Sequence, residues 1–323
     1  IVLTQLNLEI APDMSAFVRA KYIQLSSNRL KKIKASSFPH TDSLKTIILN
    51  GNQLRCVSFS ENSSVEFLDL SENNFQRIPR SVKKLKGLKF LDLSKNNIKR
   101  IPGFIGRMDS LQELKLNHNQ LKKLSRRDIR KLRNLKSIHL GANDLEQLPE
   151  NIEELTKVET LNFGSNRLSD LPAGFSKLRT LKHDIFYRNQ FDTLPHVLWN
   201  LHLLEELDFY HNRIKTIPND IVRLENLEQI YLTYNEFRAI PMVLFELKKL
   251  KSLYLHHNSI VFVPVEITQL TELQYLDLGY NKIYEIPDLS NLKKLREIDL
   301  QENSLSGFPY ELTEIESLTR IYL

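Results

Sequence analysis

The chain has 323 residues, of which 41% are hydrophobic and 26% charged, and a net charge of +6. This is the composition of a folded protein with an ordinary core, and no apolar run approaches the roughly 18 residues of a membrane span, so no transmembrane segment is predicted. Cys56 is the single cysteine, which excludes an intrachain disulfide framework and suits a reducing compartment.

From the start of the chain, Leu3, Leu6 and Leu8 predict a degenerate first strand, with Ala11 standing where later segments carry asparagine. Thirteen asparagines then recur, most of them 23 residues apart: Asn28, Asn52, Asn73, Asn96, Asn119, Asn143, Asn166, Asn189, Asn212, Asn235, Asn258, Asn281 and Asn303. A fixed period of that length is the signature of a solenoid, in which one unit cannot bury its own apolar face and stacked neighbours share a core. Residues 250–281 show the logic. Leu253 and Leu255 lie two apart and share one face of a strand, Tyr254 faces the other way, and Asn258 ends the strand with an amide able to satisfy backbone groups in a tight bend. Ten of the twelve prolines, from Pro79 to Pro309, recur at one place in the unit, where a fixed φ turns the chain onto the back. The units beginning at Leu30 and Leu121 lack that proline and run to 24 residues, which predicts a wider back with a short helical turn. Leu318, Ile321 and Leu323 begin one more strand. The expected organisation is one elongated domain over residues 1–323: a degenerate repeat at 1–19, thirteen repeats at 20–317 and a truncated repeat at 318–323.

The pattern L-x-x-L-x-L-x-x-N, as in Leu250, Leu253, Leu255 and Asn258, resembles the leucine-rich repeat family over essentially the whole chain. Within it the chain looks like the 23-residue class of intracellular Ras-signalling scaffolds and bacterial repeat proteins. The resemblance implies an α/β solenoid: a right-handed curved horseshoe with a parallel concave sheet of about fifteen strands and a convex side of extended, 3-10 and short helical segments. It also implies protein recognition as the usual activity, with no cofactor. The cysteine-clustered caps of extracellular receptor members are missing. So are a Gly-rich phosphate loop, a nucleophile elbow and a partner for Cys56, and the sequence predicts a non-catalytic interaction module or scaffold.

On a shared scaffold the variable strand positions carry specificity. In the first seven repeats the central column reads Asp69, Asp92, Lys115, His139 and Asn162, with Phe67 and Phe90 as isolated apolar points. From the eighth repeat the character changes to His183, Ile185, Tyr187 and Arg188, then Tyr210, His211 and Arg213, then Tyr231 and Tyr234, then Tyr254, His256 and His257, then Tyr275 and Tyr280. Seven of the eleven tyrosines thus fall on the expected concave face of five repeats, a patch roughly 20 Å long at about 4.8 Å per strand. Tyrosine brings apolar area and a hydroxyl at low entropic cost, so this face is the candidate docking site for a protein partner, with Glu205, Glu206, Asp208, Glu228 and Asp277 as its polar surround. Strand propensity alone would spread tyrosines over all repeats. Tyrosines beside acids also suit sugar rings, which makes a glycan-binding or ligand-sensing ectodomain of a larger receptor the alternative reading. His211 and His257 share a column about 9.6 Å apart with Tyr234 between them, and His256 and His257 should diverge on a strand, so no metal site is expected.

Residues 122–136 hold eight basic residues and one acid, while the rest of the chain sums to −1. Lys122, Lys123, Arg126, Arg127, Arg130, Lys131 and Arg133 therefore form a basic patch on one turn, a lesser alternative for nucleic acid or an anionic membrane surface, without aromatics interleaved for base stacking. Asp184 stands where equivalent positions carry Ile or Leu, so either the strand shifts or the carboxylate finds donors. Trp199, Val222 and Phe245 share a slot on the back and are expected to half-bury against the next turn. The last strand, without a polar cap, predicts that more chain or a second copy in a homodimer covers it. Cytoplasmic localisation is expected, with a bacterial surface or secreted location left open by a start that lacks Met.

Overall fold

The computed structural model describes all 323 residues as two compact units, Ile1–Asn166 and Arg167–Leu323. Unit 1 contains β1 (Tyr22–Gln24), β2 (Lys32–Ile33), β3 (Thr46–Ile48), β4 (Cys56–Val57), β5 (Phe67–Asp69), β6 (Phe90–Asp92), β7 (Glu113–Lys115), β8 (Ser137–His139) and β9 (Thr160–Asn162). Seven of these make a parallel sheet in the order β1-β3-β5-β6-β7-β8-β9, and β2 pairs with β4 on the back. Unit 2 contains β10 (His183–Ile185), β11 (Glu206–Asp208), β12 (Gln229–Tyr231), β13 (Ser252–Tyr254), β14 (Tyr275–Asp277), β15 (Glu297–Asp299) and β16 (Arg320–Tyr322), also parallel and in chain order.

Three-residue strands suffice because only the middle residue points inward. Ile23, Ile47, Leu68, Leu91, Leu114, Ile138 and Leu161 do so in unit 1, and Leu207, Ile230, Leu253, Leu276 and Ile298 in unit 2, all fully buried. Stacked in register they form one apolar column per unit, and the Leu or Phe two residues later forms a second. At about 25 cal/mol per Å² this burial is the main favourable term.

The asparagine closes each turn. Asn235 accepts the Ile214 N–H (2.9 Å) through Oδ1, and its Nδ2 donates to the carbonyls of Phe209 (2.9 Å), Leu232 (3.0 Å) and Thr233 (3.2 Å). One side chain thus satisfies its own turn and the preceding repeat. The same set recurs at Asn119 and Asn281, among others. The residue before each motif asparagine takes a left-handed conformation, including bulky ones such as Tyr234 (φ 52) and His257 (φ 49); only at Gly51 (φ 65) is it glycine. A side chain there costs roughly 1–2 kcal/mol, which the asparagine's bonds offset.

The back follows the prolines. Pro79, Pro149, Pro172, Pro195, Pro218, Pro241, Pro264 and Pro309 each immediately precede a five-residue 3-10 helix. Where proline is missing after Leu121, α1 (Arg126–Leu132) takes its place, started by a capping box in which Ser125 Oγ accepts the Asp128 N–H and Asp128 Oδ2 accepts the Ser125 N–H (2.8 Å). The other 24-residue repeat has a 3-10 turn at Ala35–Ser37. Helix α1 lies against the preceding turn at Gly106, where an added Cβ would be 2.9 Å from Lys131 Cα.

Three expectations need correction. The first repeat is framed differently: Ile1–Leu3 run beside β1, with the Leu3 N–H donating to the Gln24 carbonyl (2.8 Å) and the Gln24 N–H to the Ile1 carbonyl (2.9 Å), and Leu6 rather than Ala11 stands where later repeats carry asparagine, with Gln5 left-handed before it. Trp199 and Phe245 are buried whereas Val222 is exposed, although all three lie at the same place in a 3-10 helix, so the large rings reach the apolar interior that the shorter side chain does not. Asp184 neither shifts its strand nor finds donors. It pairs in register with Leu207, is fully buried, and neither carboxylate oxygen accepts a hydrogen bond.

Burial pushes the Asp184 carboxyl well above its ordinary value of 3.8, with the Asp208 charge adding to the effect, so the group is held protonated. The folded state then keeps a proton that the unfolded chain releases, and stability falls as pH rises from about 3.8 through the raised value, by at most about 1.4 kcal/mol per pH unit. Asp208, pushed up to about 6 chiefly by burial, contributes with the same sign. Thermal melts at pH 4 and pH 7 should therefore show Asp184→Leu more stable than the parent by about 1–3 kcal/mol at pH 7 and by less at pH 4. A variant that melts lower at both would mean that the carboxyl has structural partners. Asn235→Ala, which orphans one buried N–H and several carbonyls, should cost about 3 kcal/mol in denaturant unfolding.

Candidate functional site

The side of the unit 2 sheet opposite the core is built from four columns. The first and third residues of each strand point away from the core, Ser252 being buried among its neighbours, and two more columns follow in the turn: Tyr187, Tyr210, the buried Thr233 and His256, then the left-handed Arg188, His211, Tyr234, His257 and Tyr280. Register places Asp208 beside Tyr231, Tyr231 beside Tyr254, and Tyr254 beside Asp277.

These positions bring the rings together. Tyr231 and Tyr254 stack in parallel at 4.6 Å with a 2° interplanar angle. The Tyr231 hydroxyl donates to Gln229 Oε1 (2.8 Å), and burial, reinforced by Tyr254, pushes its pKa up to about 12, so it stays a donor. In the left-handed column His211 stacks on Tyr234 (5.6 Å, 19°), Tyr234 meets His257 (4.0 Å), and His257 meets Tyr280 (4.2 Å). Tyr210 joins through Tyr234 (5.5 Å), Tyr187 lies 6.5 Å from Tyr210, and the Arg188 guanidinium sits 5.8 Å from the Tyr210 ring centre. The result is a continuous run of alternating His and Tyr rings, one repeat apart.

Carboxylates border it. His256 Nδ1 lies 2.5 Å from Asp277 Oδ2, and His183 Nδ1 lies 3.2 Å from Glu206 Oε2. Glu205 and Glu228 pair with Lys182 and Lys251. His256 and His257 do not diverge as a regular strand would make them: their rings are 5.2 Å apart, because the left-handed turn at His257 folds both to one side. Tyr275 and Arg213 stand apart from the ring contacts, Tyr275 in the first column of β14 and Arg213 exposed beyond the turn. Gln229, which anchors Tyr231, escaped the sequence reading, although it lies two residues before that tyrosine. No group of three His, Cys, Asp or Glu side chains converges on a common point.

In unit 1 the corresponding face is polar and charged, except that Phe67 and Phe90 are not isolated: they stack at 4.3 Å, with Lys115 Nζ 5.0 Å above Phe90. The seven predicted basic residues lie on the back, Lys122 and Lys123 before α1, Arg126, Arg127, Arg130 and Lys131 within it and Arg133 just after. Lys131 is occupied, donating to the Ile101 carbonyl (2.6 Å) and pairing with Asp128 (2.8 Å), and Arg130 pairs with Glu154 (3.4 Å).

Strand, asparagine turn and short back segment, repeated and stacked, define a repeat solenoid. Leucine-rich repeat models match residues 19–75, 67–121 and 225–283, a leucine-rich repeat region matches 114–213, and shorter repeat models match 203–224 and 271–310. The chain belongs to the leucine-rich repeat family. Among solved structures it is similar to a leucine-rich repeat protein of Leptospira interrogans (23% identity over 99% of this chain and 94% of that one, TM-score 0.76). It is also similar to an internalin of Listeria monocytogenes (20% identity, 94% and 86%, TM-score 0.78). A plant peptide hormone receptor in complex with RGF2 aligns at 26% identity over 93% of this chain and 57% of that one, with TM-score 0.62. No curated protein sequence matches the chain significantly.

Burial and the neighbouring His256 both push the His257 imidazole below its ordinary value of 6.5. Proton titration followed by NMR should find His257 below that value, and His256→Gln should move it upward by removing the second influence. An unchanged value would detach the two rings electrostatically.

Proposed function

We propose that this protein is a non-catalytic interaction module whose unit 2 sheet face docks a protein partner. The single observation that carries this reading is the continuous ring surface from Tyr187 to Tyr280, held in place by the repeat backbone and therefore paid for before any partner arrives. Preorganised aromatic area with hydroxyls at its edge is the composition of interface hot spots. Unit 2 carries 17 Lys and Arg against 22 Asp and Glu, and Glu206, Asp208, Asp277, Glu297 and Asp299 share the face with the rings. The complementary partner presents apolar side chains together with Lys or Arg.

The geometry favours a protein over a glycan. Sugar rings stack on exposed aromatic faces, but Tyr231 and Tyr254 each cover one face of the other, and His211 stacks on Tyr234, which takes face area away from a sugar.

Capture from the lysate of the native cell should compare the parent with Tyr231→Ala/Tyr254→Ala/His257→Ala, after circular dichroism and melting show both folded. The expected result is a protein retained by the parent and weakened at least tenfold in the variant. Equal retention by both would remove docking from this face.

A further inference from the structure

Net charge divides sharply along the chain. Unit 1 has 28 Lys and Arg against 17 Asp and Glu, a balance of +11, so the net charge of the whole is not the property of one turn. The reason the run at 122–136 looked isolated is that stacking, not sequence, assembles the rest. The third and fourth residues after the motif asparagine fall at one place on the back of each repeat. In five successive turns of unit 1 these positions supply Lys31 and Lys32, then Arg55, Arg77, Lys99 with Arg100, and Lys122 with Lys123, without one acid; the sixth turn reverses to Glu146. The pairing of β2 with β4 aligns Lys32 with Cys56, next to Arg55, which shows the segments running parallel and in step here.

The cations of the middle three turns, Arg55, Arg77, Lys99 and Arg100, line hollows rather than a flat plane. One cleft is walled by Arg77, Arg80, Lys99 and Arg100 with half-buried Phe104 at its end, and no carboxylate enters it. Phe104 also borders a second cleft with Lys83, Lys84, Lys86, Arg107 and the single acid Glu61, and a third runs from Arg55 to Arg77 and Arg80. The carboxylates of unit 1 that form ion pairs reach other cations: Glu66 takes Lys45 and Lys89, Glu72 takes Lys95, and Glu154 takes Arg130. The cleft cations keep their charge available.

We infer that the back of unit 1 binds the phosphodiester backbone of a single nucleic-acid strand, irrespective of sequence. A linear column of cations at one or two per turn, about 4.8 Å per turn, suits a linear polyanion. Five turns span roughly 19 Å and present a cation at every turn, about five contacts for a strand that tracks the column. A planar lipid surface could not enter the clefts, whereas a strand can, and Phe104 offers one base a stacking face. Arginine prevails in the central cleft wall, as phosphate forks require.

The test is fluorescence anisotropy of a labelled oligouridylate with the full chain over a salt series. Neutralising about five phosphates predicts a log–log salt slope near −3.5, so that affinity falls about a hundredfold between 50 and 200 mM salt. Arg77→Glu/Arg100→Glu should weaken binding at least tenfold and flatten the slope by about 1.4, whereas Lys21→Glu/Lys157→Glu, with the same change of net charge at exposed sites outside the clefts, should not. Equal loss in both variants would reduce the effect to net charge and overturn the site. So would a slope shallower than −1, or binding that depends on Arg77 and Arg100 only with phosphatidylserine-containing vesicles and not with the oligonucleotide.

Discussion

Each repeat depends on one buried amide. A three-residue strand followed by a tight reversal leaves several backbone groups facing the interior, and water cannot reach them. The motif asparagine meets them from both sides, donating to carbonyls of its own turn and of the preceding repeat and accepting an N–H from that repeat. It therefore couples turn formation to stacking: neither is satisfied without the other. The apolar columns supply most of the favourable free energy, but burying them in register requires that the turns close.

This arrangement frees the surface. Since the asparagine bonds only to backbone, the residues around it can change from repeat to repeat without disturbing the scaffold. It also dictates where they go. The left-handed residue before the asparagine is turned out beside its counterpart in the next turn, so a His and Tyr alternation spaced 23 residues apart becomes a stacked run of rings. The third and fourth residues after it become a column on the back by the same logic. In unit 2 the first kind of column is aromatic and bordered by acids; in unit 1 the second kind is cationic. One constraint thus yields two surfaces of different chemistry, one in each unit.

Asp184 shows what the scaffold tolerates. A carboxyl in a column of Ile and Leu has no donor to meet it, yet β10 keeps its register with β11, because a slip would turn every strand residue to the wrong face. The residue stays by giving up its charge rather than its place. Its neighbour Asp208, half exposed at the edge of the docking face, is raised as well, so the weakest part of the core lies under the start of the ring surface.

The fold was legible because it is written locally and repeated: the leucine spacing, the asparagine and the proline each state one backbone requirement, and thirteen copies leave little room for another arrangement. The tyrosines and histidines could be assigned to one face for the same reason. The degenerate start was framed one turn late because Leu3, Leu6 and Leu8 have the right spacing while the left-handed turn at Gln5 puts Leu6, not Ala11, at the asparagine position. What the sequence alone determined is the repeat, its register and the chemistry carried by each column. Tertiary structure alone decided which rings touch, that His256 and His257 share a side, that Asp184 has no partner, and that cations from three successive turns meet along shared clefts. Those are contacts between residues some 23 positions apart, set by strand spacing and by a left-handed turn that no linear window of sequence displays.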